Sequence, residues 1–425
     1  MSGPMPRFVL FLHHRDLRVV DNRALDAACA YAREKGLVVV PAFIFTPAQV
    51  GSKAPIASAK SIACMLQSLR ELDDAYKGLG TRLHTYYGST VDVLGGIPGV
   101  AALFETADYT PYAKKRTAEI EAWAVSASVH YEPVHDLYLN APGSILNKSG
   151  HPYQKFTPYY NAALKKRVEK PGGVARGPYV GRRSAALHTG ASVTLDSAVP
   201  AERLAGSDGR AYRGGRAEGL ELLKKIPRNY EEIHDILAEH TSGLSVHHHY
   251  GTIGVRESYA ACTNDAFRRQ LYWRDFYGQI VAFFEDLYGV GAYEFQTGDR
   301  YETLSATKAK VLKAWKEGKT GVPLVDAGMR QMNETGFMHN RARLAVASWL
   351  VKDMGIWWRW GERYFAERLL DYDFSQNFGN WCWVASVLPF SQAPFRRHDP
   401  TRIAERLDPD GVYVERWLGE EGGRK

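Results

Sequence analysis

The hydrophobic pattern of this chain changes period once, and that change limits the folds open to it. Up to about residue 140, short β-rich runs alternate with amphipathic stretches. Residues 8–12 and 37–45 are continuous, β-branched and aromatic, as expected of strands covered on both faces. Between them and the next strand-like run at 81–87, Ile62, Met65, Leu66, Leu69 and Leu72 recur at helical spacing. Strands that alternate with amphipathic helices build a parallel sheet, because each crossover lays a helix on a sheet face. A doubly wound, Rossmann-like α/β domain is therefore predicted over residues 1–140. From residue 216 to 425 the period is helical almost throughout, and nine of the ten tryptophans lie beyond residue 270. That predicts an all-α domain with an aromatic-rich interior. Residues 141–215, rich in Gly, Pro, Ser and Arg, read as an interdomain linker. At 425 residues the chain can bury two such cores, and its Gly-Gly-Arg-Lys end is expected to fray.

Composition excludes several classes. With 45% hydrophobic and 24% charged residues the chain is globular, and no apolar run reaches the roughly 18 to 20 residues that span a bilayer. The first twelve residues lack a small-residue cleavage site and read as a strand, so a cytoplasmic protein is expected. Cys29, Cys64, Cys262 and Cys382 stand singly with no CxxC pair, which argues against zinc or an iron-sulfur cluster. Adjacent His247, His248 and His249 would point in different directions on a helix, so no metal is expected there either. A formal charge of +7 suits a polyanionic partner. The first strand runs into His13-His14-Arg15-Asp16-Leu17-Arg18 in place of a glycine-rich turn, so the dinucleotide fingerprint is absent.

Two groups of residues carry chemistry by type and spacing. Thr241, Ser242 and Ser245 crowd hydroxyls onto a short turn before a helix, which suits a pyrophosphate cradle, although such a turn taken alone is more often a plain helix cap. Asp371, Asp373 and Asn377 lie between strongly apolar flanks, where carboxylates need cationic partners; a structural ion pair satisfies the same pattern.

A wider resemblance decides between these readings. The segments Met329-Arg330-Gln331-Met332-Asn333, Gly336-Phe337-Met338-His339-Asn340-Arg341 and Trp358-Arg359-Trp360-Gly361-Glu362-Arg363-Tyr364-Phe365 resemble the FAD-binding domain of the photolyase and cryptochrome family. Arg15-Asp16-Leu17-Arg18, Phe156-Thr157-Pro158-Tyr159, Thr241-Ser242-Gly243-Leu244-Ser245 and Trp273-Arg274-Asp275-Phe276 follow in family order, so the likeness covers essentially the whole chain. It is closest to the class I type of cyclobutane pyrimidine dimer photolyases. The resemblance implies FAD as cofactor, UV-damaged DNA as partner, a monomer, and repair of dimers by an electron from excited reduced FAD. The alternative it leaves open is a cryptochrome-type blue-light receptor.

Site residues carry over position by position. Tyr230, Thr241, Ser242, Gly243, Leu244, Ser245, Gln270, Arg274 and Asn340 match contacts to the FAD, its phosphates and their surroundings. Arg343 matches the arginine paired with Asp371 across the flavin, Asp373 the residue at its pyrimidine edge, and Asn377 the residue facing N5. Asparagine at that position is the usual choice of photolyases. Trp381 and Trp358 match the first two tryptophans of the electron path, whereas no tryptophan lies between Trp273 and Trp315, where the third belongs. Trp273 and Trp383 match the aromatics that pack on a flipped-out dimer, and Asn340, Arg341 and Arg396 match positions near the lesion and its phosphates. Two positions depart from the cyclobutane-dimer pattern: Gln270 replaces a glutamate and Leu344 a methionine. The histidine pair of six-four photolyases is absent, since Asn340 follows His339. Tyr109-Thr110-Pro111-Tyr112-Ala113 resembles the region where some relatives hold a second, antenna chromophore of deazaflavin or folate type.

Overall fold

The computed structural model describes residues 7–419 apart from residues 53, 55, 57, 182–186, 208–212, 284–302 and 388–390. The C-terminal Gly-Gly-Arg-Lys and much of the stretch between Trp273 and Trp315 lie outside the described residues. Strands β1 (Phe8–His13), β2 (Val38–Phe45), β3 (His84–Tyr87), β4 (Val100–Thr106) and β5 (His130–Val134) form a sheet in the order β3-β2-β1-β4-β5, with every pair parallel. Helices α1 (Arg23–Lys35), α2 (Ala59–Gly78), α3 (Thr90–Gly95) and α4 (Pro111–Ala127) follow the first four strands. Side chains alternate across β1: Val9 and Phe11 pack with α1 and α2, while Phe8, Leu10 and Leu12 pack with Val93 and Leu94 of α3 and Ile120 of α4. Both faces of β1 and β4 are covered, which is why these strands read as unbroken apolar runs. Helix α1 starts where the Asn22 side chain accepts from Leu25 N and stops at Gly36 in the left-handed region.

The Gly- and Pro-rich connection is not a free tether. Val174, Tyr179 and Ser192 bridge to Val20, Val39 and Tyr86, and Ala175, Leu187 and Val199 are buried. Apolar side chains interspersed among its Gly and Pro residues fasten the segment along the α/β domain. It also contains helix α5 (Phe156–Ala163).

The C-terminal half is helical: α6 (Ser245–Tyr250), α7 (Asp265–Phe283), α8 (Ala306–Glu317), α9 (Pro323–Thr335), α10 (Asn340–Ser348), α11 (Trp358–Arg368) and α12 (Phe374–Ala385) are its main members. Fully buried Trp315 lies in its core with Leu350, Phe365 and Phe378. Helices α11 and α12 meet where Gly361 faces the Trp381 ring; a Cβ at that glycine would lie 2.1 Å from the indole. The two domains are joined by buried charges. Arg18 binds Asp136 and donates to Gly251 O at 3.1 Å, and Arg256 reaches Asp21 at 2.9 Å and Asp136 at 2.6 Å. No helix among the described residues is long and apolar enough to cross a membrane.

Candidate functional site

A cavity of about 470 Å³ opens in the helical domain, within the size range of cofactor sites. Its walls bring together residues from Tyr230 to Val384, and every predicted site residue except Trp358 and Arg396 lines it. On one side stands the turn at 241–245, where Gly243 takes φ +64 and the Ser242 hydroxyl accepts from Leu244 N at 3.5 Å. Tyr230 is buried behind it, edge-on to Phe267 of α7 at 5.4 Å.

Another part of the lining carries the charges. Arg343 of α10 donates from one Nη to both oxygens of Asp371, at 2.8 and 3.1 Å, and from Nε to Met338 O at 2.8 Å. Asp373 caps α12 through Gln376 N and is paired with Arg15, which arrives from the loop after β1. Burial opposes the Asp373 charge, yet the Arg15 and Arg274 guanidiniums outweigh it and hold the carboxyl well below its ordinary range. Arg15 also donates to His249 O at 3.2 Å and pairs with Asp108 at 3.5 Å. Sequence reasoning quoted Arg15 in a motif and gave it no role.

Arg274 donates to Leu137 O and, at 3.2 Å, to His248 O, and its guanidinium stands 4.9 Å from the Tyr138 ring centre. It thus ties the cavity wall to the domain junction. The three histidines take separate partners: His247 meets Thr252 Oγ1, His248 meets Ser258 Oγ, and the His249 ring lies edge-on to Tyr250. Both His248 and His249 line the cavity, and His249 Nδ1 is buried with no partner among the described residues. Burial, helped by nearby Arg15, pushes the His249 imidazole down to about 3, so it is neutral near pH 7.

Asn377 donates from Nδ2 to Glu362 Oε1 at 2.9 Å, leaving its amide oxygen for the cavity. Glu362 is fully buried and also accepts from Tyr372 OH at 3.3 Å; burial pushes its carboxyl up to about 8, so it is neutral near pH 7. Glu362 was missed as a site residue, although an acid on the tryptophan-bearing helix of an aromatic-rich domain is the signal that could have found it.

Trp381 lies edge-on to Phe365 at 5.1 Å and to Trp315 at 6.3 Å. Trp358 does not line the cavity; it is buried and edge-on to Phe378 at 5.3 Å. Trp273 stacks on Phe156 with ring centres 3.5 Å apart and planes within 6°, and more distantly on Tyr277. Gln270 spends its amide N–H on Ala266 O of its own helix at 3.1 Å. Arg341 is held by Asp235 at 2.6 Å, while Asn340 is exposed at the start of α10 and Leu344 lies on the same helix, packed on the helical core. Exposed Arg396 sits outside the cavity with its guanidinium 5.7 Å from the ring centre of Trp383. In the region expected to meet a second chromophore, Tyr109 shares a 2.9 Å hydrogen bond with His135, and Thr110 caps α4.

These features fit a flavin dinucleotide: a hydroxyl-bearing turn opened by Gly243, an orphaned imidazole nitrogen in the wall, two carboxylates fixed by arginines, and an amide oxygen beside a buried tryptophan. Comparison with known proteins agrees. Residues 267–422 match the FAD binding domain of DNA photolyase and residues 9–174 match the DNA photolyase domain. A deoxyribodipyrimidine photo-lyase of Halobacterium salinarum is 32% identical, over 97% of this chain and 89% of that protein. One from Streptomyces griseus is 34% identical, over 95% and 88%. The crystal structure of an archaeal photolyase from Sulfolobus tokodaii, solved with two FAD molecules, superposes with a TM-score of 0.82 at 32% identity, covering 97% of this chain and 90% of that one. With its parallel sheet, its helical FAD-binding domain and relatives aligned along nearly its whole length, this chain belongs to the DNA photolyase family of enzymes.

Proposed function

We propose that the protein repairs cyclobutane pyrimidine dimers in DNA in a light-driven reaction. The observation that carries this reading is the cavity in which the Arg343–Asp371 pair, the Asn377 amide and Trp381 line one space with Trp273, Trp383 and Gln270. FAD, when bound and reduced, supplies the electron that splits the dimer. The chain's own residues bind, orient and insulate. Hydroxyls of Thr241, Ser242 and Ser245 offer donors to the phosphates, and Arg343 pairs with Asp371 beside the ring position, so that no bare buried charge is left there. Asp373, ionised through Arg15 and Arg274, offers acceptors to the polar ring edge. Asn377 presents an oxygen whose direction is fixed by neutral Glu362, so no carboxylate competes for the flavin proton there.

On the lesion side, Trp273 and Trp383 offer aromatic surface to an extruded dimer. Arg341 and Arg396 offer cations to its phosphates. Gln270, whose N–H is committed to Ala266 O, keeps its carbonyl oxygen as an acceptor toward the pyrimidines. The deciding experiment is illumination of the FAD-loaded protein with a duplex carrying one defined cyclobutane dimer. Restoration of the two pyrimidines, dependent on blue light, is expected. A protein that holds FAD and absorbs blue light but leaves the dimer intact would overturn repair and favour the photoreceptor reading.

A further inference from the structure

Arg15 reaches the cavity wall without lining the cavity itself. It leaves the loop after β1 and crosses to the helical domain, where it pairs with Asp373 at the start of α12. Its backbone is clamped against that domain. Leu17 N donates to Tyr250 O at 3.1 Å, and a Cβ at Gly251 would lie 2.0 Å from Arg15 O. Gly251 takes φ +65, so both its conformation and this close approach require glycine. The guanidinium is aimed by two further contacts: Nε donates to His249 O at 3.2 Å, and an Nη stands 3.5 Å from Asp108, just after β4. All three nitrogens of the fork are thus committed, one of them to Asp373.

Asp373 is divided between two partners. One oxygen accepts from Gln376 N at 3.1 Å and the other takes Arg15, which leaves each oxygen a lone pair toward the cavity that Asp373 lines. Arg274 is near but gives its hydrogen bonds to Leu137 O and His248 O, so Arg15 is the cation that bonds Asp373 among the described residues. A carboxylate at the polar edge of a flavin opposes reduction, because two electrons and one proton leave the ring with one negative charge more. A guanidinium fixed behind the carboxylate offsets that repulsion. We propose, on the reading above that Asp373 faces the flavin, that Arg15 is a positioning residue for the flavin chemistry: from the α/β domain it aims Asp373 and offsets its charge, and so raises the reduction potential of bound FAD.

The test is the midpoint potential of FAD bound to the full chain, read from spectra at equilibrium with a dye of known potential. It needs no DNA, so dimer repair does not enter it. In Arg15→Gln the carboxylate faces the ring without its cation. Reduced FAD should then lose about tenfold more affinity than oxidised FAD, which places the two-electron midpoint about 30 mV below wild type. Arg15→Lys, which keeps the charge, should recover at least half of the shift. Asp373→Asn leaves Arg15 unopposed and should raise the midpoint, and the double variant should return close to wild type. A purely structural role would weaken oxidised and reduced FAD alike and leave the midpoint still. An unmoved midpoint in Arg15→Gln, or an equal fall with and without Asp373, overturns the inference. If Arg15→Gln does not hold FAD, Asp373→Asn decides, and a midpoint at or below wild type overturns it. A wild type that takes up no FAD overturns the flavin reading of the cavity and the role of Arg15 with it.

Discussion

Glu362 shows how one buried side chain can set the chemistry of a neighbour. Its carboxyl is kept neutral by burial, and it takes the Asn377 N–H so that the amide oxygen remains for the cavity. The cost of that arrangement should be visible as a pH dependence. In the unfolded chain the acid titrates near 4.5, whereas in the fold it keeps its proton to about 8. Between those values the unfolded chain loses a proton that the native state retains, so stability falls as pH rises across the window and levels above it. Each unit of separation corresponds to about 1.4 kcal/mol at most, so an effect of a few kcal/mol is the upper bound. Glu362→Gln, which can still accept from Asn377, should flatten the profile and gain on wild type at high pH. Urea midpoints at three values of pH spanning the window decide this; parallel profiles for the two proteins would show that Glu362 is ionised in the native state. Among the site residues, the need of Asp371 for a cation was legible in its apolar flanks, and its partner Arg343 lies only 28 positions away. Arg15, the partner of Asp373, is 358 positions away and could not be read, because nothing local to either residue selects the other.

At the scale of elements, the crossing of α11 and α12 holds Trp381 in the wall of the cavity. The absence of a side chain at Gly361 allows the indole to approach the helix backbone. Gly361→Ala would place a methyl group 2.1 Å from the ring and force the helices or the indole to move. A loss of about 1 to 3 kcal/mol is expected, the usual cost of overpacking a core. Because Trp381 lines the cavity proposed to hold FAD, the absorption bands of bound FAD should shift in the same variant. Unchanged stability and spectrum would mean that the α11–α12 contact is softer than its geometry implies. Sequence periodicity identified this half of the chain as helical, since burial of one face dictates the pattern of a helix. The packing of the connection at 141–215 was not legible, because Gly and Pro content reports backbone freedom and not whether scattered apolar side chains find a surface.

At the scale of the whole molecule, Arg18, Arg256, Asp21 and Asp136 form a buried charged seam between the domains. Arg256→Ala would leave Asp21 with no guanidinium of its own and Asp136 with Arg18 alone. A destabilisation of about 3 to 5 kcal/mol is expected, the cost of stranding a buried charge. Arg256→Lys should recover little, because one ammonium cannot serve two carboxylates with the fork of a guanidinium. Equilibrium denaturation of both variants measures this, and a loss below about 1 kcal/mol would mean that water reaches the seam. The sequence alone determined the two architectures, since hydrophobic period follows directly from which faces are buried, and it determined the residue types of the cavity. Only the tertiary structure decided which charges meet, and that Arg15 of the α/β domain reaches Asp373 in the cavity wall of the helical one. Those outcomes depend on distances between parts of the chain that share no local pattern, and a linear sequence does not record such distances.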